Sequence, residues 1–152
     1  MNQVNELDFV HLHVHSEFSL VDGIIRVKEL VNNSADRGFH SVALTDLTNL
    51  FGLLEFYRTA RERGIKPIVG SEINIAKDKD SIAAPLVLIA INKQGYINLT
   101  KLVSKAYVEG QVKGEPIVFF KWLEEFSDGL IALSGGFCLL YTSDAADDDH
   151  CV

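Results

Sequence analysis

The sequence predicts an α/β fold in which strands and helices alternate to build a parallel sheet or barrel. Short aliphatic runs typical of strands are followed by segments whose apolar residues recur at helical spacing. Glycines stand where several of these helices would end, and no apolar run approaches the ~20 residues that a membrane-spanning helix needs. Because a parallel strand pair requires a crossover that is usually helical, this succession favours right-handed β-α-β units.

The first predicted strand covers residues 9–16, where three histidines alternate with aliphatic residues. Alternation at period two places His11, His13 and His15 on one face and the aliphatic residues on the other. The histidine face could bind a metal together with the nearby carboxylate of Asp22. The alternative is an ordinary half-buried strand whose histidines have no ligand role.

Two helices and a short strand are predicted next. Apolar residues at helical spacing predict a helix from about residue 24 that ends near Gly38. Residues 42–44 form a short aliphatic strand, and a second amphipathic helix closes at Gly64. Residues 45–49 are then the loop at the carboxyl end of that strand.

The third predicted strand covers residues 66–73, with Pro67 at its start, where no ladder donor is lost, and Glu72 at its far end. A charged turn follows at residues 77–81. Residues 86–91 are almost uniformly aliphatic, as expected of a strand that helices cover on both faces.

The remaining predicted elements continue the alternation. A helix is expected from about residue 95 to residue 109, followed by a loop at residues 110–116. A short helix at residues 121–126 and a buried strand at residues 130–133 complete the series.

The best candidates for a functional site stand at the carboxyl ends of the predicted strands. His13 and His15 end the first, Asp46 follows the second, Glu72 ends the third, and residues 134–136 follow the last. In a β/α barrel the loops at these ends line one mouth, where catalytic groups gather. We therefore expect these pieces to converge.

Composition bounds the class of protein. With 152 residues, 47% hydrophobic and 23% charged, the chain can build one globular domain. Its net charge of -7 argues against a nucleic-acid binder held by phosphate contacts. The first residues lack the basic and apolar regions of a signal peptide, so a cytoplasmic location is expected.

Several linked motifs resemble the polymerase and histidinol phosphatase (PHP) domain family. More narrowly, they are similar to the amino-terminal PHP domain of bacterial replicative DNA polymerase III alpha subunits. The similarity extends over residues 7–136. The PHP-type motifs are residues 11–23, 43–46 and 64–72, and those similar to alpha subunits are residues 49–57 and 95–107.

The resemblance implies a partial, distorted (β/α)7 barrel of PHP type, truncated at its carboxyl-terminal side. In metal-competent relatives the barrel mouth holds several metal ions, often zinc or manganese, and can act as a 3′ to 5′ proofreading exonuclease. Such chemistry needs clustered metals that polarise the phosphate and activate water.

Carried over position by position, the resemblance implies the ligands His13, His15, Asp22 and Glu72. Three other ligand positions depart from the family pattern, with Leu47 and Pro85 replacing histidines and Gly136 replacing a cysteine. His11 stands where the family does not usually ligate, so we interpret it as supporting or structural. Lost ligands should lower metal affinity steeply, which implies a vestigial site with absent or very weak exonuclease activity.

For the parent protein the resemblance implies template-directed DNA synthesis in chromosomal replication. The barrel would then be a scaffold and docking surface for a separate proofreading exonuclease subunit. The implied partners also include the sliding clamp, the clamp loader and DNA, the last through downstream domains that use magnesium. The palm carboxylates that catalyse polymerisation cannot be assigned in this chain. The alternatives are an active metal-dependent PHP phosphoesterase or 3′ to 5′ exonuclease, and a pure interaction protein.

The last residues form a separate segment. Residues 138–147 resemble a conceptual translation of a sequencing-library adapter, so we expect residues 1–137 to be the PHP part and residues 138–152 a non-native tail. A genuine acidic terminal segment is the alternative. Both cysteines, Cys138 and Cys151, lie in this tail, so disulfides have no part in the fold of the preceding residues.

Overall fold

The protein's structure, a computed structural model, describes residues 9–20 and 22–134. These residues form a mixed α/β fold. The helices are α1 (Val27–Asp36), α2 (Leu53–Glu62), α3 (Lys93–Glu109) and α4 (Phe120–Glu125). The strands are β1 (Ser41–Leu44), β2 (Lys66–Ala76), β3 (Ala84–Ala90), β4 (Gln111–Val112), β5 (Glu115–Phe119) and β6 (Leu130–Ser134). None of the described helices has both the length and the apolar character required to cross a membrane.

The sheet is mixed, whereas the sequence favoured a parallel sheet or barrel. Its order is β4-β5-β2-β3-β6, and β1 pairs with the first residues of β2. β2 runs parallel to β1 and β5, whereas β3 is antiparallel to both β2 and β6. Only residues 77–83 separate β2 from β3, which is too short for the crossover of about a dozen residues that parallel pairing requires. Closure into a barrel remains a prediction.

Two hydrophobic clusters lie against the sheet. The first packs α1 and α2 with β1, and its buried residues are Val27, Leu30, Val31, Val42, Leu44, Phe56, Ala60 and Ile65. The second packs α3 against β2, β3 and β5, and its buried residues are Ile73, Ile75, Leu88, Leu99, Leu102, Val103, Ala106 and Val118. The first cluster holds β1 and the second holds the part of β2 next to Glu72, while direct strand pairing joins β1 to β2.

The helix ends follow the chemistry of the sequence. Beyond the last turns of α1 and α2, Gly38 and Gly64 have φ angles of +80° and +71°, a conformation that glycine adopts without a steric penalty. At the start of α3 the Asn92 side chain accepts a hydrogen bond from the Gly95 amide at 2.9 Å. The predicted bounds of these helices agree with the structure to within a few residues.

The histidine segment at residues 9–16 is extended but forms no regular strand, contrary to the prediction. The Ala43 amide donates to the His11 carbonyl and the Thr45 amide to the Val14 carbonyl, both at 2.9 Å. The Val14 amide, however, donates to Thr45 Oγ1 at 2.8 Å rather than to a backbone carbonyl. This side-chain acceptor interrupts the ladder while keeping the segment beside β1.

Three further expectations about strands are corrected. Glu72 lies within β2 rather than at its end, because residues 74–76 continue the strand by pairing with β5. The predicted loop at residues 110–116 contains β4 and the start of β5, joined by a turn in which Lys113 and Gly114 both have positive φ. β6 is not fully buried, since its described neighbour is β3 alone and Ile131 is 46% exposed.

Candidate metal centre

The structure brings two of the histidines together. His13 and His15 lie two positions apart in the extended segment, and their Nε2 atoms are 3.3 Å apart. Their rings meet edge to face, with centroids 5.0 Å apart. The backbone hydrogen bonds from Ala43 and Thr45 hold the main chain on either side of His13 against β1.

Glu72 projects from β2 into the same space. Its Oε2 atom lies 3.2 Å from His15 Nε2 and also contacts His13 Nε2. One ligand atom from each of these three residues lies within 4.8 Å of the other two. His15 and Glu72 are largely buried, whereas the His13 side chain is 51% exposed, so the group is open to solvent on one side.

Two imidazoles and one carboxylate form a donor set that suits zinc or manganese. The convergence of all three donor atoms, without an intervening side chain, fits a single ion of this kind. Three protein ligands plus one open side is the arrangement found in catalytic rather than closed structural zinc sites. The three residues therefore form a candidate metal centre.

Asp22 lies beside this group and not within it. Its Oδ2 atom is 3.9 Å from His15 Nδ1, the ring nitrogen that faces away from Glu72, and its side chain is 58% exposed. At this distance the carboxylate is a neighbour of the imidazole and is too far from it for a hydrogen bond. The structure thus places three of the four predicted ligands together and the fourth next to one of them.

His11 does not join the cluster. Its ring packs edge-on against Phe9 and Phe39, with centroid distances of 4.8 and 5.3 Å. Two of the three alternating histidines therefore contribute to the candidate metal centre. The packing agrees with the interpretation of His11 as a structural residue.

Asp46 lies at the same end of the sheet but serves as a hydrogen-bond acceptor. Its buried carboxylate accepts from the Ser16 amide at 2.6 Å and from Ser19 Oγ at 2.7 Å. Sequence reasoning missed these serines and also Ser71, whose Oγ donates to the Asp46 carbonyl at 2.7 Å. Ser16 directly follows His15 and Ser71 directly precedes Glu72, and this adjacency was the available signal for these two serines.

Comparison with known proteins decides the family. The family model described as "PHP domain" matches residues 11–145, which is most of the chain. The chain belongs to the PHP domain family. The PHP assignment agrees with the mixed α/β fold.

The PHP chain is also similar to named polymerase subunits. It is 47% identical over 130 residues to DNA polymerase III subunit alpha of Vibrio cholerae and 48% identical over 129 residues to that of Pseudomonas aeruginosa. Each alignment covers 84% of this chain and 11% of the relative. The subunit of Escherichia coli K12 is 45% identical over 135 residues, 88% of this chain and 12% of that protein. The chain thus spans about a tenth of the length of these curated relatives.

Solved structures share the fold. A protein from Bifidobacterium adolescentis, assigned as a metal-dependent phosphoesterase, has a TM-score of 0.51 and 23% identity, covering 64% of this chain and 32% of its own. An amidohydrolase from Chromobacterium violaceum, solved with sulfate and no metal, has a TM-score of 0.50 and 26% identity, with the same coverage. The first likeness shows the fold alone.

Two of the positions that depart from the PHP ligand pattern are described by the structure. Leu47 forms a parallel β-bridge with Glu72, which places an alkyl side chain on the strand position adjacent to the carboxylate. Pro85 stands near the start of β3 opposite Asn74. Neither side chain can bind a metal. Gly136, the third position, lies outside the described residues.

Proposed function

We propose that this chain is the amino-terminal PHP part of a bacterial replicative DNA polymerase III alpha subunit. The observation that carries the proposal is the 45–48% identity to proteins of that name over 84–88% of the chain. Template-directed DNA synthesis would reside in the remainder of the parent protein, which uses magnesium at a palm site. We place the parent in the cytoplasm, in association with the sliding clamp, the clamp loader and DNA.

Within that protein, the PHP part would be a scaffold and a docking surface for a separate proofreading exonuclease subunit. The geometry of the metal centre supports this role over catalysis. Phosphodiester hydrolysis by clustered metals needs ligands for at least two ions about 3.5–4 Å apart. The three converging donors are enough to hold one ion. Leu47, the β-bridge partner of Glu72, has only an alkyl side chain and cannot serve as a ligand for a second ion.

His13 Nε2, His15 Nε2 and Glu72 Oε2 would hold that single ion, with Asp22 beside the outer nitrogen of His15. Zinc and manganese are the metals that suit these donors. When bound, such an ion supplies Lewis acidity and a water of lowered pKa. The three residues hold the donor atoms together. Because His13 is exposed, one side of the cluster is accessible to solvent.

The alternative function is an active metal-dependent PHP phosphoesterase or 3′ to 5′ exonuclease. One observation favours it, namely the open side of the cluster next to His13, which would admit a phosphate. This alternative does not explain the alkyl and proline side chains at two ligand positions.

The test uses the complete parent protein in primer-extension and 3′-trimming assays, with and without added Zn²⁺ or Mn²⁺. We expect DNA synthesis, and no metal-dependent trimming above that of a His13→Ala variant. His40→Ala, which removes an exposed histidine outside the cluster, is the matched control. Metal-dependent trimming that His13→Ala abolishes and His40→Ala preserves would establish the alternative.

We also propose that residues 1–137 are the PHP part and that residues 138–152 are a non-native tail. Sequencing the source DNA across the codons of Gly136 and Phe137 tests this division. A reading frame that continues into more PHP sequence supports it, whereas a frame that encodes Cys138 to Val152 and then stops contradicts it.

A further inference from the structure

Asp46 is a buried carboxylate whose partners are all hydrogen-bond donors. Its side chain accepts from the Ser16 amide at 2.6 Å, from Ser16 Oγ at 3.0 and 2.8 Å, and from Ser19 Oγ at 2.7 Å. The residue is 2% exposed, and no described lysine, arginine or histidine lies within salt-bridge distance of it. An ionised carboxylate in such a place depends on these donors, because burial without them is strongly unfavourable.

The main chain of the same residue is tied to the strand that carries Glu72. The Asp46 carbonyl accepts from Ser71 Oγ at 2.7 Å and from the Glu72 amide at 3.2 Å. Two positions further on, the Thr48 amide donates to the Glu72 carbonyl at 2.6 Å. One short loop therefore contacts both segments that supply the metal-binding side chains.

We propose that Asp46 is a positioning residue of the metal centre, which it serves by fixing His15 relative to Glu72. Its side chain holds Ser16, the residue directly after His15, and its main chain holds Glu72. The purpose of this positioning rests on the proposed metal site, but the positioning itself can be measured without any metal.

Two variants separate positioning from charge. Asp46→Asn keeps the shape but replaces one acceptor oxygen with an amide NH₂ that faces the donors of Ser16 and Ser19. Ser19→Ala leaves the carboxylate in place, removes one of its hydrogen bonds and also deprives the Leu47 amide of its 3.0 Å acceptor. Both changes should loosen residues 15–19 from β2 and expose the His15 ring.

The matched control is Asn98→Ala. Asn98 is also buried, at 4% exposure, and its Nδ2 atom donates to the Asp128 carbonyl at 2.8 Å. It lies in α3, away from the metal centre, so its loss destabilises the fold without touching the loop of Asp46. A general loss of stability would affect this control as well.

The experiment labels histidines of the complete, chelator-treated parent protein with diethyl pyrocarbonate and quantifies each site by mass spectrometry. We expect severalfold faster labelling of His15 in both variants, with the exposed His40 unchanged as internal reference, and no change at His15 in Asn98→Ala. If Asp46→Asn does not fold, Ser19→Ala alone decides. Unchanged His15 labelling, or an equal increase in Asn98→Ala, would overturn the proposal. Neither result depends on whether the parent protein synthesises DNA.

Discussion

Gly23→Ala should disrupt the metal centre through a steric clash, and the displacement can be worked out from the structure. A methyl group at Gly23 would lie 1.7 Å from the Ser16 carbonyl oxygen and 2.4 Å from its carbon. Reaching an ordinary contact of 3.4 Å requires these segments to move apart by about 1.7 Å. The distance from His15 Nε2 to Glu72 Oε2 is only 3.2 Å, so a shift of that size is enough to separate the donors.

Forced overpacking of this kind costs about 1–3 kcal/mol. That energy corresponds to amide hydrogen exchange about 5- to 150-fold faster in residues 9–25 if the segment opens locally. Hydrogen exchange of peptides from the complete parent protein measures this change in rate. Zinc affinity, measured by chelator competition, should fall in the same variant.

Gly114→Ala is the matched control. Gly114 has a φ angle of +89°, and no atom lies within 4 Å of the methyl group that alanine would add. The substitution introduces backbone strain of about 1–2 kcal/mol at the β4–β5 turn without a clash. It should leave exchange in residues 9–25 unchanged. Wild-type exchange of that segment in Gly23→Ala would refute the steric argument.

Three further substitutions have defined outcomes. Leu47→His adds an imidazole next to the Glu72 carboxylate and should raise zinc affinity about tenfold or more. Leu47→Ala, the control, should leave zinc affinity unchanged in the same chelator-competition assay. Phe56→Ala leaves a cavity at a fully buried position of the first cluster and should lower the free energy of unfolding in urea by about 3–5 kcal/mol. An unchanged urea midpoint would contradict this packing. The hydrogen bond from Ser81 Oγ lowers the pKa of Asp78, so its small stabilising effect is present above the unfolded pKa and is lost as pH falls through the folded pKa. Ser81→Ala should return the pKa of Asp78 toward its ordinary value, and an unmoved NMR titration curve would count against that cause.

The helices and the pairing of His13 with His15 could be predicted from local signals, whereas their meeting with Glu72 was expected from the convergence of strand ends in a β/α barrel and from the PHP resemblance. Gly38 and Gly64 stop helices through conformations that other residues adopt only under strain. The spacing of His13 and His15 places both side chains on one side of an extended segment, and both meet Glu72.

Strand direction and strand length could not be predicted in the same way. The aliphatic run of β3 suits a parallel or an antiparallel strand equally, and the short turn before it decides the direction. β2 extends beyond Glu72 because of its pairing with β5, a contact between residues distant in the chain.

The hydrogen-bond network of the site was hidden for a related reason. A single aspartate after a strand is compatible with a ligand, a helix cap or a buried acceptor. Only the fold brings Ser16, Ser19 and Ser71 within hydrogen-bond distance of Asp46.

Among the described residues three donors converge in the candidate metal centre, and we expect them to hold a single ion. The most direct test is metal analysis of the complete parent protein after equilibration with Zn²⁺, beside a Glu72→Ala variant. We expect no more than one ion in the PHP part of the wild-type protein, and none in the variant. Two or more ions in the PHP part of the wild-type protein would contradict it.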